Sequence, residues 1–454
     1  MKIKLTSSNI CIFLMSVLVF LDMQPFFIWS TVSPLGYRLY TVMIIVVTAF
    51  MALIVLHKKV VSGVPDVTER TTVTLPLVLV STLPVILFFY KVFASGVVTK
   101  TQQPFNLTML CVHLGLMLFI LQDHVTLASV FKITKTVFAI SLIPALLVFL
   151  LRQVGIDVPA VLLSADAGKT ETGQSYELYM GSAVMLRNMS GVLERLCGMY
   201  REPGFVGTIG VLYLLGDKFN LRKWQNLVIF AACVCTFSLA FFVLLILGGV
   251  LKAVFNMRNR RTFVLSIVAI VAIIVGYFSF MSLPLDPNSM WGQLQERMVI
   301  TDEGLAGDNR FGGSSEYAQI AFDEFSQSDL NIQLLGYGED TRLIPGTTTN
   351  IWQNVHSYKE YVFNFGYIGL LLLAAIFVFG VLVKYKGVTK KAKGSIIALL
   401  FVFVISIYQR YGVDTFCYFC VLFGGASNLA LLPEDGEETK KKRRIVFTWR
   451  DSRR

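Results

Sequence analysis

Apolar runs close to the length that crosses a bilayer recur along almost the whole chain, from Ile10 to Leu432. A hydrocarbon layer about 30 Å thick takes about 20 apolar residues as a helix, and inside it every backbone amide must find its partner within that helix. The expectation is therefore an all-α polytopic membrane protein. The runs lie near 10–29, 36–56, 73–94, 104–122, 132–151, 203–216, 226–255, 262–283, 360–383, 394–410 and 413–432. Composition agrees: 55% of residues are apolar and 15% charged, against about 25% charged in soluble domains, and the mean hydropathy is +0.66. The opening MKIKLTSSNICIFLMSVLVFL resembles a secretory leader, but no small-x-small site follows it, so it reads as the first membrane helix.

The net charge of +11 does not point to nucleic acid, because its Lys and Arg cluster in short connections between apolar runs. HKKVV (57–61), DKFNLRKW (217–224), NMRNRR (256–261), KYKGVTKKAKG (384–394) and KKKRR (440–444) should all face the cytoplasm. Both 217–224 and 256–261 are basic, so an even number of crossings must separate them. The run 226–255 is then a hairpin of two short helices turning near Thr236-Phe237-Ser238. This gives about 12 transmembrane helices in one membrane domain, 1–432, with both termini inside and a basic cytoplasmic tail at 433–454. Two long polar segments, about 152–202 and 284–358, fall outside as periplasmic loops. The seven cysteines are scattered; Cys417 and Cys420 form a CxxC within an apolar run and read as packing residues.

The outer loops differ from the inner ones. From Asp286 to Tyr358 there are eleven acidic residues, no lysine and three arginines, Arg297, Arg310 and Arg342. In the first loop Arg187, Arg195 and Arg201 gather toward the membrane-proximal end. Arginine suits bidentate phosphate binding, although each could instead pair with an acidic neighbour. In Tyr200-Arg-Glu-Pro-Gly-Phe-Val-Gly207 the proline predicts a helix start, whose N–H groups and Arg201 would make an outward anion site. An ordinary capped, salt-bridged helix end is the other reading. Further on, Ala318, Ala321, Phe322 and Phe325 recur at helical spacing and predict an amphipathic helix, followed by a turn at Gly336-Tyr-Gly338.

Of four histidines, only His356 falls in an outer loop; His113 reads as a core residue inside the membrane. A histidine titrates near neutral pH, which makes His356 the outer general base of choice, with Glu202 as the alternative acceptor. Neither outer loop has D-x-D or E-x-D, and one histidine without close ligands makes no zinc site; no metal and no cofactor are expected. Arg410 and Asp414 are spaced for an i, i+4 pair at an outer turn.

Three pieces together resemble the bacterial O-antigen polymerase and ligase superfamily: Arg201-Glu-Pro-Gly204; Asn309-Arg310 with the amphipathic helix and Gly336-Tyr-Gly338; and His356-Ser357 with Phe365-Gly-Tyr-Ile-Gly369. The resemblance runs from about Arg195 to Gly369. It implies a class-C-like glycosyltransferase architecture and, as substrate, sugar repeat units on undecaprenyl diphosphate at the outer face of the inner membrane. It also implies that Arg310 meets the lipid diphosphate and that His356 stands near the reaction centre. Arg195 or Arg201 is expected to add charge at the diphosphate, and Tyr358, Arg187 and Arg342 are the candidate residues lining the substrate cavity. Expected partners are membrane lipids, a flippase and a chain-length regulator. Ligases of the superfamily typically carry Ser-Arg at the hairpin, where this chain has Ser238-Leu239; this departure and the Glu-Pro-Gly stretch turn the resemblance toward polymerases. The rivals are an O-antigen ligase acting on lipid A-core and, from another class, a lipid-linked oligosaccharide flippase or sugar transporter.

Overall fold

A computed structural model describes residues 7–29, 36–60, 74–94, 103–163, 174–188, 194–255, 275–287, 289–301, 304–305, 314–338, 351, 358–408 and 413–432, with isolated helical positions at 268 and 271. The chain is mostly helical. In order come α1 (Ser7–Asp22), α2 (Phe26–Trp29), α3 (Gly36–Val60), α4 (Leu75–Ala94), α5 (Gln103–Ile120) and α6 (His124–Gln153). Strands β1 (Ala160–Leu163), β2 (Gln174–Tyr179), β3 (Ala183–Asn188) and β4 (Glu194–Gly198) follow. Next are α7 (Pro203–Gly216), α8 (Trp224–Cys235), α9 (Leu239–Phe255), α10 (Met290–Arg297), β5 (Ile300–Thr301) and β6 (Gly304–Leu305). The chain closes with α11 (Ser314–Ser326), α12 (Leu330–Leu335), α13 (Tyr358–Lys384), α14 (Lys390–Ile407) and α15 (Phe416–Leu431).

Among the described residues, three helices are long and apolar enough to cross a membrane: Leu75–Phe93, His124–Gln153 and Tyr358–Lys384. Several apolar helices are shorter, among them α7, α8 and α15. The first expected span is interrupted, because the chain turns at Gln24, where φ is +50, and α1 gives way to α2.

The all-α expectation is corrected at the first outer loop. Residues 160–198 carry a four-stranded antiparallel sheet in the order β1-β2-β3-β4, and 300–305 a two-stranded one. Every residue of β4 is buried, so the apolar-polar alternation that marks a half-exposed strand is absent. One face of the sheet packs Met185, Leu196 and Tyr179 into the core shared with α6. The other closes over Tyr176, Val184, Leu186 and Cys197. A bidentate ion pair, with Arg152 Nε 2.7 Å from Glu194 Oε2, fastens the end of α6 to β4.

The hairpin expected in 226–255 is present. Helix α8 ends at Cys235, the chain reverses through Thr236–Ser238 with Phe237 at φ +47, and α9 starts at Leu239. The reversal is fixed by both helices packing on α7. Cys233 Sγ meets Val206 O at 3.5 Å, Asn226 reaches Asp217 just past the far end of α7, and Leu215 lies under Gly248. Gly207 is the residue that admits the turn, since a Cβ there would stand 3.1 Å from Ser238 Cβ and 3.0 Å from Phe241 Cβ.

At that far end Lys135, Lys223 and Asn226 surround Asp217. Lys223 Nζ lies 2.6 Å from Oδ1 and Asn226 Nδ2 donates to Oδ2 at 2.9 Å. Burial alone would raise the Asp217 carboxyl, but the hydrogen bonds from Lys135 and Lys223 outweigh it and hold the group below its usual range. The opposite end, which carries Arg201 and the second long loop, is called the outer end below.

Candidate functional site

The Tyr200–Gly207 stretch is anchored before it reaches its charged pair. Tyr200 meets Ser141 through its hydroxyl at 2.8 Å and lies against Phe138, while Phe26 N donates to Met199 O at 2.7 Å. Burial pushes the Tyr200 hydroxyl above its usual range, so it stays neutral. Pro203 then opens α7 as the sequence predicts. Glu202 takes the N-cap position with extended backbone (φ −140, ψ 136), yet its carboxylate makes no capping bond to α7. Arg201 and Glu202 are both half-buried and stand where the N–H groups of α7 face outward.

Arg195 comes from β4, which packs against α7. Its Nε donates to Thr236 O at 3.0 Å, and the side chain is buried. The guanidinium thus sits on the hairpin turn. The second long loop arrives there too: Trp291 of α10 meets the Phe237 ring edge-on at 6.3 Å. Sheet, hairpin, α7 and α10 therefore converge on one rim.

Arg187 is committed elsewhere. Its Nη1 is 3.2 Å from Glu177 Oε1, and Glu177 also accepts from the Tyr179 hydroxyl. Burial and the Glu177 carboxylate together push the Tyr179 hydroxyl up. Tyr358 begins α13, stacks on Tyr408 at 5.4 Å and meets Phe322 edge-on. The amphipathic helix is found as α11, whose Ala318, Ala321 and Phe325 are buried against Val362 and Phe363 of α13. Arg310, Arg342, His356 and Arg410 lie outside the described residues.

A second charged group was not legible as a unit in the sequence. Asp414 Oδ2 lies 2.6 Å from Lys91 Nζ and 3.3 Å from His113 Nε2, while His113 Nδ1 is 2.7 Å from Met109 O. The Lys91 ammonium also lies over the rings of Tyr361 and Phe365, at 5.1 and 5.0 Å. Asp414 thus answers to α4 and α5. His113, expected to be an unremarkable core residue, faces a carboxylate. The only sequence signal for this group is a charged or ionisable residue in or beside an apolar run, a pattern that marks function or pairing.

Beside this group α13 is broken. Gly366 has φ +61 and ψ −176 inside the helix, and Gly336 (φ +82) crosses it so closely that a Cβ on Gly366 would stand 2.2 Å from Leu334 O. The N–H groups of Tyr337 and Gly338 donate to Phe363 O and Asn364 O, both at 2.9 Å. Tyr90 donates to Phe365 O at 2.8 Å. The Gly336-Tyr-Gly338 turn and the Phe365-Gly-Tyr segment are thus two halves of one crossing. No protein-family model, curated protein or solved structure matches the chain.

Proposed function

We propose that the protein is a bacterial oligosaccharide repeat-unit polymerase. In this reading it joins undecaprenyl-diphosphate-linked repeat units into O-antigen or a related surface polysaccharide at the periplasmic face of the inner membrane. The architecture is class-C-like, with about 12 transmembrane helices and both termini in the cytoplasm. One observation supports the reading: Arg195 donates to the turn of the α8–α9 hairpin, and that turn packs at Gly207 on the first turns of α7, the helix that Arg201 and Glu202 precede. The chemistry calls for that set. The bond from the sugar anomeric carbon to the diphosphate oxygen breaks, and the acceptor hydroxyl oxygen bonds to that carbon. Its proton passes to His356 or Glu202, and undecaprenyl diphosphate leaves. Negative charge grows on the bridging oxygen, and preplaced guanidinium groups stabilise it.

Deleting the gene and complementing with wild type, Arg201→Ala, Arg310→Ala or His356→Ala at matched expression tests this on a lipopolysaccharide gel. Loss of the ladder with core plus one repeat unit remaining is the expected result. Complete loss of attached glycan, with polymer on the lipid carrier, would identify a ligase instead. A flippase or transporter is favoured by one observation, the Lys91–Asp414–His113 group, half-buried at Lys91 and Asp414 and buried at His113, since such residues often line ion and substrate paths. That reading requires single repeat units to accumulate unpolymerised on the cytoplasmic leaflet.

A further inference from the structure

Helix α6 is longer than a bilayer needs: 30 residues make about 45 Å at about 1.5 Å per residue. Its exposed side chains are not spread around it. Ile133, Val137, Ile140, Ile143, Leu147, Leu150 and Val154 are all exposed, and their three- and four-residue spacing places them in one stripe. The exposed Lys132 interrupts the stripe, which Val125, 63% exposed, carries on toward the start of α6. From Ile133 to Val154 it covers about 32 Å at the helical rise, the thickness of the hydrocarbon core. On its opposite side α6 buries Phe138, Leu142, Ala145 and Phe149.

The stripe does not stop where the helix does. Ile156 continues it through the turn, and β1 follows with Val161 63% and Leu162 67% exposed. Those two side chains point to opposite faces of an edge strand. Met180, 60% exposed, joins them from the β2–β3 turn, because Tyr179 pairs with Ala160. A bare apolar edge strand is a liability in water, and this one carries no lysine or proline to blunt it. Meanwhile β4 is buried between α6 and α7, so the sheet is set into the helical body rather than held above it.

We infer that the β1 edge and the Met180 turn are a membrane foot, seated in the outer-leaflet interface as a continuation of the α6 stripe, and that the occupant of this surface is phospholipid. The inference rests on α6 spanning the membrane and is independent of the polymerase reading. Seated this way, the foot fixes the height of the sheet, and with it Arg195, relative to the lipid surface from which a lipid-linked substrate would enter.

The test uses the full-length protein in phosphatidylcholine–phosphatidylglycerol nanodiscs, with a bimane label on Leu162→Cys, Met180→Cys, Leu147→Cys or Asp157→Cys. The native thiols are buried or half-buried, and the unsubstituted protein sets the labelling background. Lipids carrying a nitroxide high on the acyl chain should quench the label at 162 and 180 about as strongly as at 147, and leave 157, whose side chain is 99% exposed, bright. Quenching at 147 but not at 162 or 180 would overturn the foot and leave the α6 span standing. Quenching at none of the three would remove the span itself and the inference with it.

Discussion

Asp414 balances a lysine and a histidine that start 323 and 301 positions away in sequence, and this makes it the most sensitive single residue described. Removing its charge leaves the Lys91 ammonium against Tyr361 and Phe365 with no counter-ion. Breaking one side of a buried pair costs about 3–5 kcal/mol, whereas replacing both sides with neutral groups of similar volume is often close to neutral. Asp414→Asn should therefore lower the unfolding temperature in detergent sharply, and the Lys91→Met/Asp414→Asn double variant should recover most of the loss. Losses that simply add would show that the pair is not coupled. Gly366 is the other decisive residue. Alanine there must hold φ near +61 with its Cβ against the Leu334 carbonyl, which adds about 1–3 kcal/mol of backbone strain to about 1–3 kcal/mol of overpacking. Gly366→Ala should fail to give a monodisperse peak in fluorescence-detected size exclusion, and Gly336→Ala should behave the same way.

At the scale of elements, Arg195 connects the sheet to the hairpin, and its replacement separates charge from shape. Lysine keeps the charge but lacks the planar fork that reaches a carbonyl and a phosphate together. A charged hydrogen bond is worth about 1.5–3 kcal/mol, about 10–150-fold in rate. On the polymerase proposal, Arg195→Ala should cut polymer yield by that order at unchanged expression, with Arg195→Lys in between; equal yields would remove Arg195 from the site. The same elements show what the sequence could carry. Basic clusters at 217–224 and 256–261 demanded a reversal between them, and Thr236–Ser238 supplies it. Pro203 marked a helix start, and the spacing of Ala318, Ala321 and Phe325 marked a buried face. The sheet stayed hidden because β3 and β4 are covered on both faces, so neither strand shows an alternating pattern. Met180-Gly181, both at positive φ, was its one local signal, a turn between two runs of strand-forming residues. The Lys91–Asp414–His113 group was not legible as a unit, since three distant elements build it and only the fold brings them together.

For the whole molecule, the direction of the chain through the membrane decides whether the outer rim can meet a periplasmic substrate. The structure orders its levels without a bilayer. Arg201, the Thr236–Ser238 turn and the Gly336–Gly366 crossing lie toward one end. Asp217, Lys223, Asn226 and Lys252, whose Nζ donates to Lys218 O at 2.7 Å, lie toward the other. Lysines dominate the second end, and on the positive-inside rule that end would face the cytoplasm. The sidedness is open to a direct measurement in intact spheroplasts with a membrane-impermeant maleimide. Gly181→Cys on the β2–β3 turn and Gln327→Cys just after α11 should label from outside, while Asn220→Cys should label only after the membrane is opened. The hairpin sharpens the test. Because α8 runs back to the end that carries Arg201 and α9 runs away from it, a cysteine placed at Asn256 should behave like Asn220. If Asn256→Cys labelled from outside while Asn220→Cys did not, the 226–255 run would cross an odd number of times. Arg195 would then face a turn buried within the bilayer, too deep for the diphosphate of a lipid-linked glycan, and the polymerase reading would lose the arrangement on which it rests.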